Sequence, residues 1–314
     1  MATGPAFPLL PQPVPLGDFS DPLLVGPEPR LLRAVVETYR EAAPALVDPT
    51  AGDLASGESE ESEEGYPTPA GDLPRLSVLA GESTVDAATA GFRPASRLAA
   101  LLDVDAIGLR VLEAPQPNSV LAGGETGFAL IGGERDGTSN RDGATEENRR
   151  WHPVGDDASL RDRYASRFAA ADPYRLRTPS RRRVYEGFAS RCDETVAAAV
   201  LRALDVPAAP VEPDDSHVST AGPAPEETRI RTYAVGAREG VLDRTLRRAC
   251  EDARLGSPST FTRIKRLLRE AELIGTTSES QPVGRPRERL VARGALAAAE
   301  TPDETAAAVR SVME

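Results

Sequence analysis

Lysine is almost missing from this sequence. Lys265 is the only one among 37 Lys and Arg, and 49 acidic residues leave the 314-residue chain at a net charge of −12. An acidic, lysine-poor, alanine-rich surface is expected of a protein from a cytoplasm of multimolar salt; a high-GC genome, which favours Arg over Lys, is the other reading. The distinction bears on partners. At about 1 M salt the Debye length is only ~3 Å, so repulsion between an acidic protein and DNA is screened beyond direct contact. Aromatics make up 4% of the chain, so cores must be built from Ala, Val and Leu. Cys192, Cys250, His152 and His217 are too scattered for zinc-ligand spacing, and no metal or cofactor is expected. No apolar run approaches the ~18 residues of a membrane span. The proline-broken N-terminus also lacks the basic region of a signal peptide, so a soluble, cytoplasmic protein without a membrane partner is expected. Gly-rich phosphate loops, HExxH and GxSxG are absent. With His152 standing alone, the chain reads as a non-enzyme with no catalytic residues.

What is present divides by composition. Residues 1–26 are proline-rich and read as an extended or disordered tail. Residues 27–204 read as an α/β domain, a small mixed sheet with helices. Its expected elements are a helix over 29–43, a strand over 75–80, helices over 82–90 and 94–102, and strands over 107–113, 118–122 and 127–131. A further short strand is expected at 151–154. Helices follow from Ser159, from Pro179 with Thr178 as N-cap, and over 193–204. Two disordered insertions interrupt the domain, an acidic one near 48–74 and a polar one near 132–150. The run Arg175, Arg177, Arg181, Arg182 and Arg183 suits a solvated helix face, an anionic metabolite or DNA. Residues 205–225 are rich in Pro, Asp and Ser, and read as the linker and domain boundary. Residues 226–293 then read as a winged helix-turn-helix, and 294–314 as a C-terminal helix. Thr301 and Glu304 form a capping-box pattern there. Ala308, Val309, Val312 and Met313 would pack on the winged helix or pair two protomers in a homodimer.

The chemistry concentrates in GSPSTFTRIKRLLREAELI at 256–274 and VGRPRERL at 283–290. Two helices joined near Gly240 lead to Gly256, to Ser257 as N-cap and to Pro258 at the first helical position. Over 258–272, Phe261, Ile264, Leu268 and Ala271 share one helix face. Ser259, Thr262, Arg263 and Arg266 lie opposite, with Lys265 and Arg269 on the flank. Strands at 275–280 and 288–292 would pair around a wing in which Arg285 and Arg287 flank Pro286. From Ser257 to Arg293 eight Arg or Lys stand against four Glu, a local +4 inside a chain of −12. That reversal points to double-stranded DNA as the partner. Arginine bridges guanine O6 and N7, and Ser or Thr bonds base edges or phosphates. Ser259, Thr262, Arg263 and Arg266 are therefore expected at the bases, and Lys265, Arg269, Arg285 and Arg287 at the phosphates.

These two stretches resemble the C-terminal module of the TbsP-like transcriptional regulators of haloarchaea. The likeness extends through DPLLVGPEPRLLRAVVETY, RVLEAPQPNSVLAGGETGFALIG and YRLRTPSRRRV in the N-terminal part. The resemblance implies an α/β domain of sensory role, answering to a small-molecule effector of unspecified chemistry, joined to a DNA-binding winged helix. Glu288 departs from the pattern, at a wing-strand position where an apolar or basic residue is expected. The alternative function is a protein-interaction module or adaptor that uses the winged helix without specific DNA binding.

Overall fold

The computed structural model describes residues 6–7, 14–56, 73–132, 149–155, 158–208, 222–280 and 286–313. Its first elements are β1 (Ala6–Phe7), β2 (Val14–Pro15), β3 (Leu23–Val25), α1 (Pro29–Ala42), α2 (Pro44–Val47) and α3 (Ala51–Ala55). Then come β4 (Leu76–Ala80), α4 (Glu82–Ala88), α5 (Phe92–Asp103), β5 (Ile107–Val111), β6 (Val120–Ala122), β7 (Gly127–Gly132) and β8 (Arg149–Gly155). Helices α6 (Ala158–Ala170), α7 (Arg181–Arg191), α8 (Glu194–Asp205), α9 (Pro225–Arg238), α10 (Asp243–Asp252) and α11 (Pro258–Glu270) follow. The chain closes with β9 (Ile274–Glu279), β10 (Arg287–Ala292), α12 (Gly294–Ala298) and α13 (Pro302–Arg310).

Two compact units form. The first comprises Met1–Val47, Glu64–Ala88 and Leu101–Arg175; the second comprises Asp48–Glu63, Thr89–Ala100 and Leu176–Glu314. The first unit is built on a six-stranded sheet in the order β5-β4-β3-β6-β7-β8. β3, β4 and β5 run parallel, while β6, β7 and β8 continue antiparallel from β3. Alternate strand residues point to opposite faces. Leu23, Val25, Leu79, Val120 and Ala122 meet Tyr164 of α6, with Leu160 and Phe168 alongside. Leu24 and Val78, facing the other way, are equally buried. Sheet and helices thus form the expected mixed α/β domain, with its edge strand β8 where residues 151–154 indicated one.

Three expectations change. Leu23–Val25, expected in a disordered tail, is a fully buried strand at the centre of the sheet. Three residues are too few to show a period, yet a central strand needs only apolar side chains on both faces. The start of the acidic stretch is also ordered. Thr50 caps α3, accepting from the Asp53 N–H at 3.2 Å while the Asp53 carboxylate accepts from Thr50 N–H at 2.7 Å. Residues 57–72 of that insertion, most of the 132–150 insertion and most of the 205–225 linker lie outside the described residues.

The third change is the domain boundary. α7 and α8, assigned by sequence to the first domain, share one core with α9–α13. Gly187 of α7 lies so close to α10's end that an added Cβ would stand 2.8 Å from the Ala253 nitrogen. Arg231 of α9 is fully buried and donates to the carbonyls of Ala203 (3.0 Å), Val206 (2.6 Å) and Pro207 (3.1 Å) at the end of α8. Its charge is met by Glu227 one turn back. A Pro/Asp/Ser-rich stretch therefore joins two helices of one unit, and the units part near Leu176. Ser180, not Thr178, precedes α7 as N-cap. Buried Arg181, drawn from the arginine run, pairs with Asp48 at 3.3 Å and with Asp205. The C-terminal helix packs within its own chain: Ala308 and Val309 join the core, and Arg310 donates to Pro207 (3.2 Å) and Ala208 (3.3 Å).

Candidate nucleic-acid interface

α9, α10 and α11 are followed by the antiparallel pair β9–β10, in register from Arg287↔Glu279 to Ala292↔Ile274. Leu242, before α10, forms a bridge with Arg289, and Leu290 N–H donates to the Val241 carbonyl at 3.1 Å. This single bridge ties the segment before α10 to the two-stranded β9–β10 sheet. It was not readable from sequence, because one bridged residue carries no pattern. Gly236 lets α9 and α10 meet: an added Cβ would run into the Leu246 side chain. Tyr233 of α9 stacks on Phe261 of α11 at 5.9 Å and 18°.

α11 forms as its sequence indicates. The Ser257 side chain accepts from Thr260 N–H, and Pro258 needs no N–H acceptor in the first turn. Phe261, Ile264 and Leu268 are wholly buried. Ser259, Thr262, Arg263, Arg266 and Arg269 are exposed together on the outer side. The Ser259 hydroxyl meets that of Ser257 at 2.8 Å. The Thr262 hydroxyl donates to Pro258 (3.0 Å) and accepts from Arg247 of α10 (2.9 Å). Arg263 pairs with Glu226 at 2.8 Å, both half exposed, and Arg266 reaches Glu270 at 3.8 Å across an open surface. Exposed pairs of this kind contribute only about 0.2–1 kcal/mol, so a base edge or phosphate can displace the carboxylate.

Lys265 stands apart from that group. Expected at a phosphate, it is only 9% exposed. Its ammonium lies 3.2 Å from Asp243 of α10 and 2.5 Å from Glu288 of β10. Asp243 also takes Arg247 at 2.9 Å and the Tyr233 hydroxyl. Burial first, and then the bond to Asp243, pushes the Tyr233 phenol well above its ordinary value. Helical position 265 is close enough to the apolar stripe to turn inward, and the anomalous Glu288 is the residue that receives it.

Arg285 lies outside the described residues. Arg287 is exposed at the start of β10. Between it and α10 opens a concavity of about 570 Å³, lined by Leu242, Asp243, Arg244, Thr245, Arg248, Pro286, Arg287 and Glu288. Arg244, Arg248, Arg269 and Arg287 have no carboxylate within ion-pairing distance among the described residues. Both groove carboxylates are engaged instead by Lys265. Arg244 and Arg248 enter the candidate site only through the fold, as lining of this concavity. Their i, i+4 spacing on α10 was a legible signal, but only the fold brings them beside the wing.

Residues 180–310 match the family model for the C-terminal HTH domain of TbsP-like transcriptional regulators. Residues 66–179 match that for the TbsP-like N-terminal domain. The junction between the two falls where the two compact units part, near the start of α7. Comparison with curated proteins gives no match, and comparison with solved structures gives none either. Among the described residues no helix is long and apolar enough to cross a membrane. With both family domains present in order along most of its length, the chain belongs to the TbsP-like transcriptional regulators.

Proposed function

We propose that the protein is a sequence-specific, double-stranded-DNA-binding regulator whose α/β unit senses a small-molecule effector, and that it has no catalytic role. α11 enters the major groove with Arg263 and Arg266 at the bases and Ser259 and Thr262 beside them. Arg269, Arg285 and Arg287 hold phosphates, joined by Arg244 and Arg248 of α10. The observation that supports this reading is one surface made by α10, α11 and β10, where Arg244, Arg248, Arg269 and Arg287 have no carboxylate within ion-pairing distance among the described residues and Arg263 and Arg266 hold only exposed pairs. In so acidic a protein, four arginines without a carboxylate partner among the described residues, Arg244, Arg248, Arg269 and Arg287, fit a polyanionic partner. The acidic surface is consistent with work at high salt in a cytoplasm, where screening removes the long-range penalty.

The test is an electrophoretic shift of the protein's own promoter at high salt. Wild type retards the fragment, and Arg263→Ala with Arg266→Ala loses the shift while a far-ultraviolet spectrum stays unchanged. Equal specific binding by the double variant would remove α11 from the reading role.

A further inference from the structure

The one lysine of the chain sits where a phosphate ligand was expected, and it does not face outward. Its side chain spans from α11 to Asp243 at 3.2 Å and Glu288 at 2.5 Å, and both acids line the groove that also holds Arg244, Arg248 and Arg287. Glu288 is more than half exposed, whereas the Lys265 side chain is 11% exposed. An ammonium is a compact charge on a thin stem, able to lie between two carboxylates where the broad guanidinium fork would demand more room. In a chain that otherwise uses only arginine, this is a position where lysine has a physical reason to stand.

We infer that Lys265 is the counter-charge of the groove: it does not bind DNA, but neutralises Asp243 and Glu288 so that the groove accepts a phosphodiester. Without it, Glu288 would present an uncompensated carboxylate beside Arg287 and Arg248, in the path of the phosphate. Asp243 would keep Arg247 and Tyr233, so the burden of repulsion falls on Glu288. This inference rests on the DNA-binding reading proposed above. It makes Glu288, which departs from the expected wing pattern, a paired element of the interface.

The test is a double-mutant cycle on the full chain, with affinity measured by fluorescence anisotropy on one duplex at 0.3 M KCl, a condition chosen for the assay. The variants are Lys265→Met, Glu288→Gln and both together. A bare charge within several ångströms of a phosphate in partly screened surroundings weakens binding by about tenfold. Lys265→Met is therefore expected to bind about tenfold more weakly. Adding Glu288→Gln in that background recovers most of the loss, while Glu288→Gln alone changes affinity by less than about twofold, because its charge is already met. Equal effects of Glu288→Gln with and without Lys265 would overturn the inference and make Lys265 a direct phosphate ligand. Wild-type affinity in Lys265→Met would also overturn the inference, and would leave Lys265 with no part in binding. Should that variant not fold, Glu288→Gln alone still decides: about tenfold tighter binding would mean that Glu288 is not neutralised. Failure of the wild type to bind any duplex would instead defeat the DNA-binding reading itself.

Discussion

Replacing Arg231 by methionine probes the claim that α7 and α8 belong to the winged-helix unit. Arg231 is the largest of the fully buried side chains. It donates to Glu227 at 2.9 Å and to three carbonyls at the end of α8. Burial alone would lower its pKa, and the Glu227 carboxylate works against that shift. Methionine fills similar space but leaves Glu227, only 7% exposed at its side chain, without its cation. Removing one partner of a buried pair costs about 3–5 kcal/mol. The carbonyls of Ala203, Val206 and Pro207 lose donors as well, and each net hydrogen bond contributes about 1 kcal/mol, part of which water restores. A loss of about 4 kcal/mol is expected, a large share of the roughly 5–15 kcal/mol that holds a domain folded. Urea denaturation followed by circular dichroism at 222 nm would read it as a lower midpoint at unchanged slope. Adding Glu227→Gln should recover about 2 kcal/mol, since the stranded charge is then gone. A single-variant loss under about 1 kcal/mol, or no coupling between the two sites, would refute a tie between α8 and α9 through Arg231.

Three further outcomes follow from the same geometry. Gly187→Ala should lower the thermal midpoint: overpacking against the Ala253 backbone, about 1–3 kcal/mol, outweighs the ~1 kcal/mol helix-propensity gain. A rise in midpoint would show that α7 and α10 are not in close contact there. The backbone N–H groups of Glu300 and Thr301 hold the Glu304 carboxyl below its ordinary range. A depressed carboxylate stabilises above its unfolded pKa and loses that contribution as pH falls through the folded value. Acidification below the ordinary carboxylate range should therefore loosen α13, seen as faster amide exchange there, and Glu304→Gln should remove that pH dependence. Arg244→Ala with Arg248→Ala should weaken DNA binding uniformly across sequences and reduce the salt slope by about 1.8, two contacts at about 0.9 each. An unchanged slope would take α10 out of the interface.

Most of the architecture was legible because helices and longer strands carry a period. The start and inner face of α11 were readable: Ser257 and Pro258 mark the one, and Phe261, Ile264 and Leu268 the other. The misses share a cause. Leu23–Val25 is too short to show alternation, and its role as the central strand depends on partners at Ser77–Leu79 and Val120–Ala122. The boundary was placed at 205–225 because Pro, Asp and Ser clusters read as a linker. Composition cannot tell a linker between domains from a loop within one, which here required Arg231 and Gly187. Within the interface, the helical wheel put Lys265 on the flank. Which way a flanking lysine turns depends on Asp243 and Glu288, which lie 22 and 23 positions away in sequence.

The central claim is that α11 reads DNA sequence through Arg263 and Arg266. Its most direct measurement is selection of duplexes from a randomised pool by the full-length protein at high salt, wild type beside Arg263→Ala with Arg266→Ala. Wild type is expected to enrich one recurring motif. The double variant should retain salt-sensitive, sequence-independent binding and enrich none. The same motif from both proteins would contradict the account.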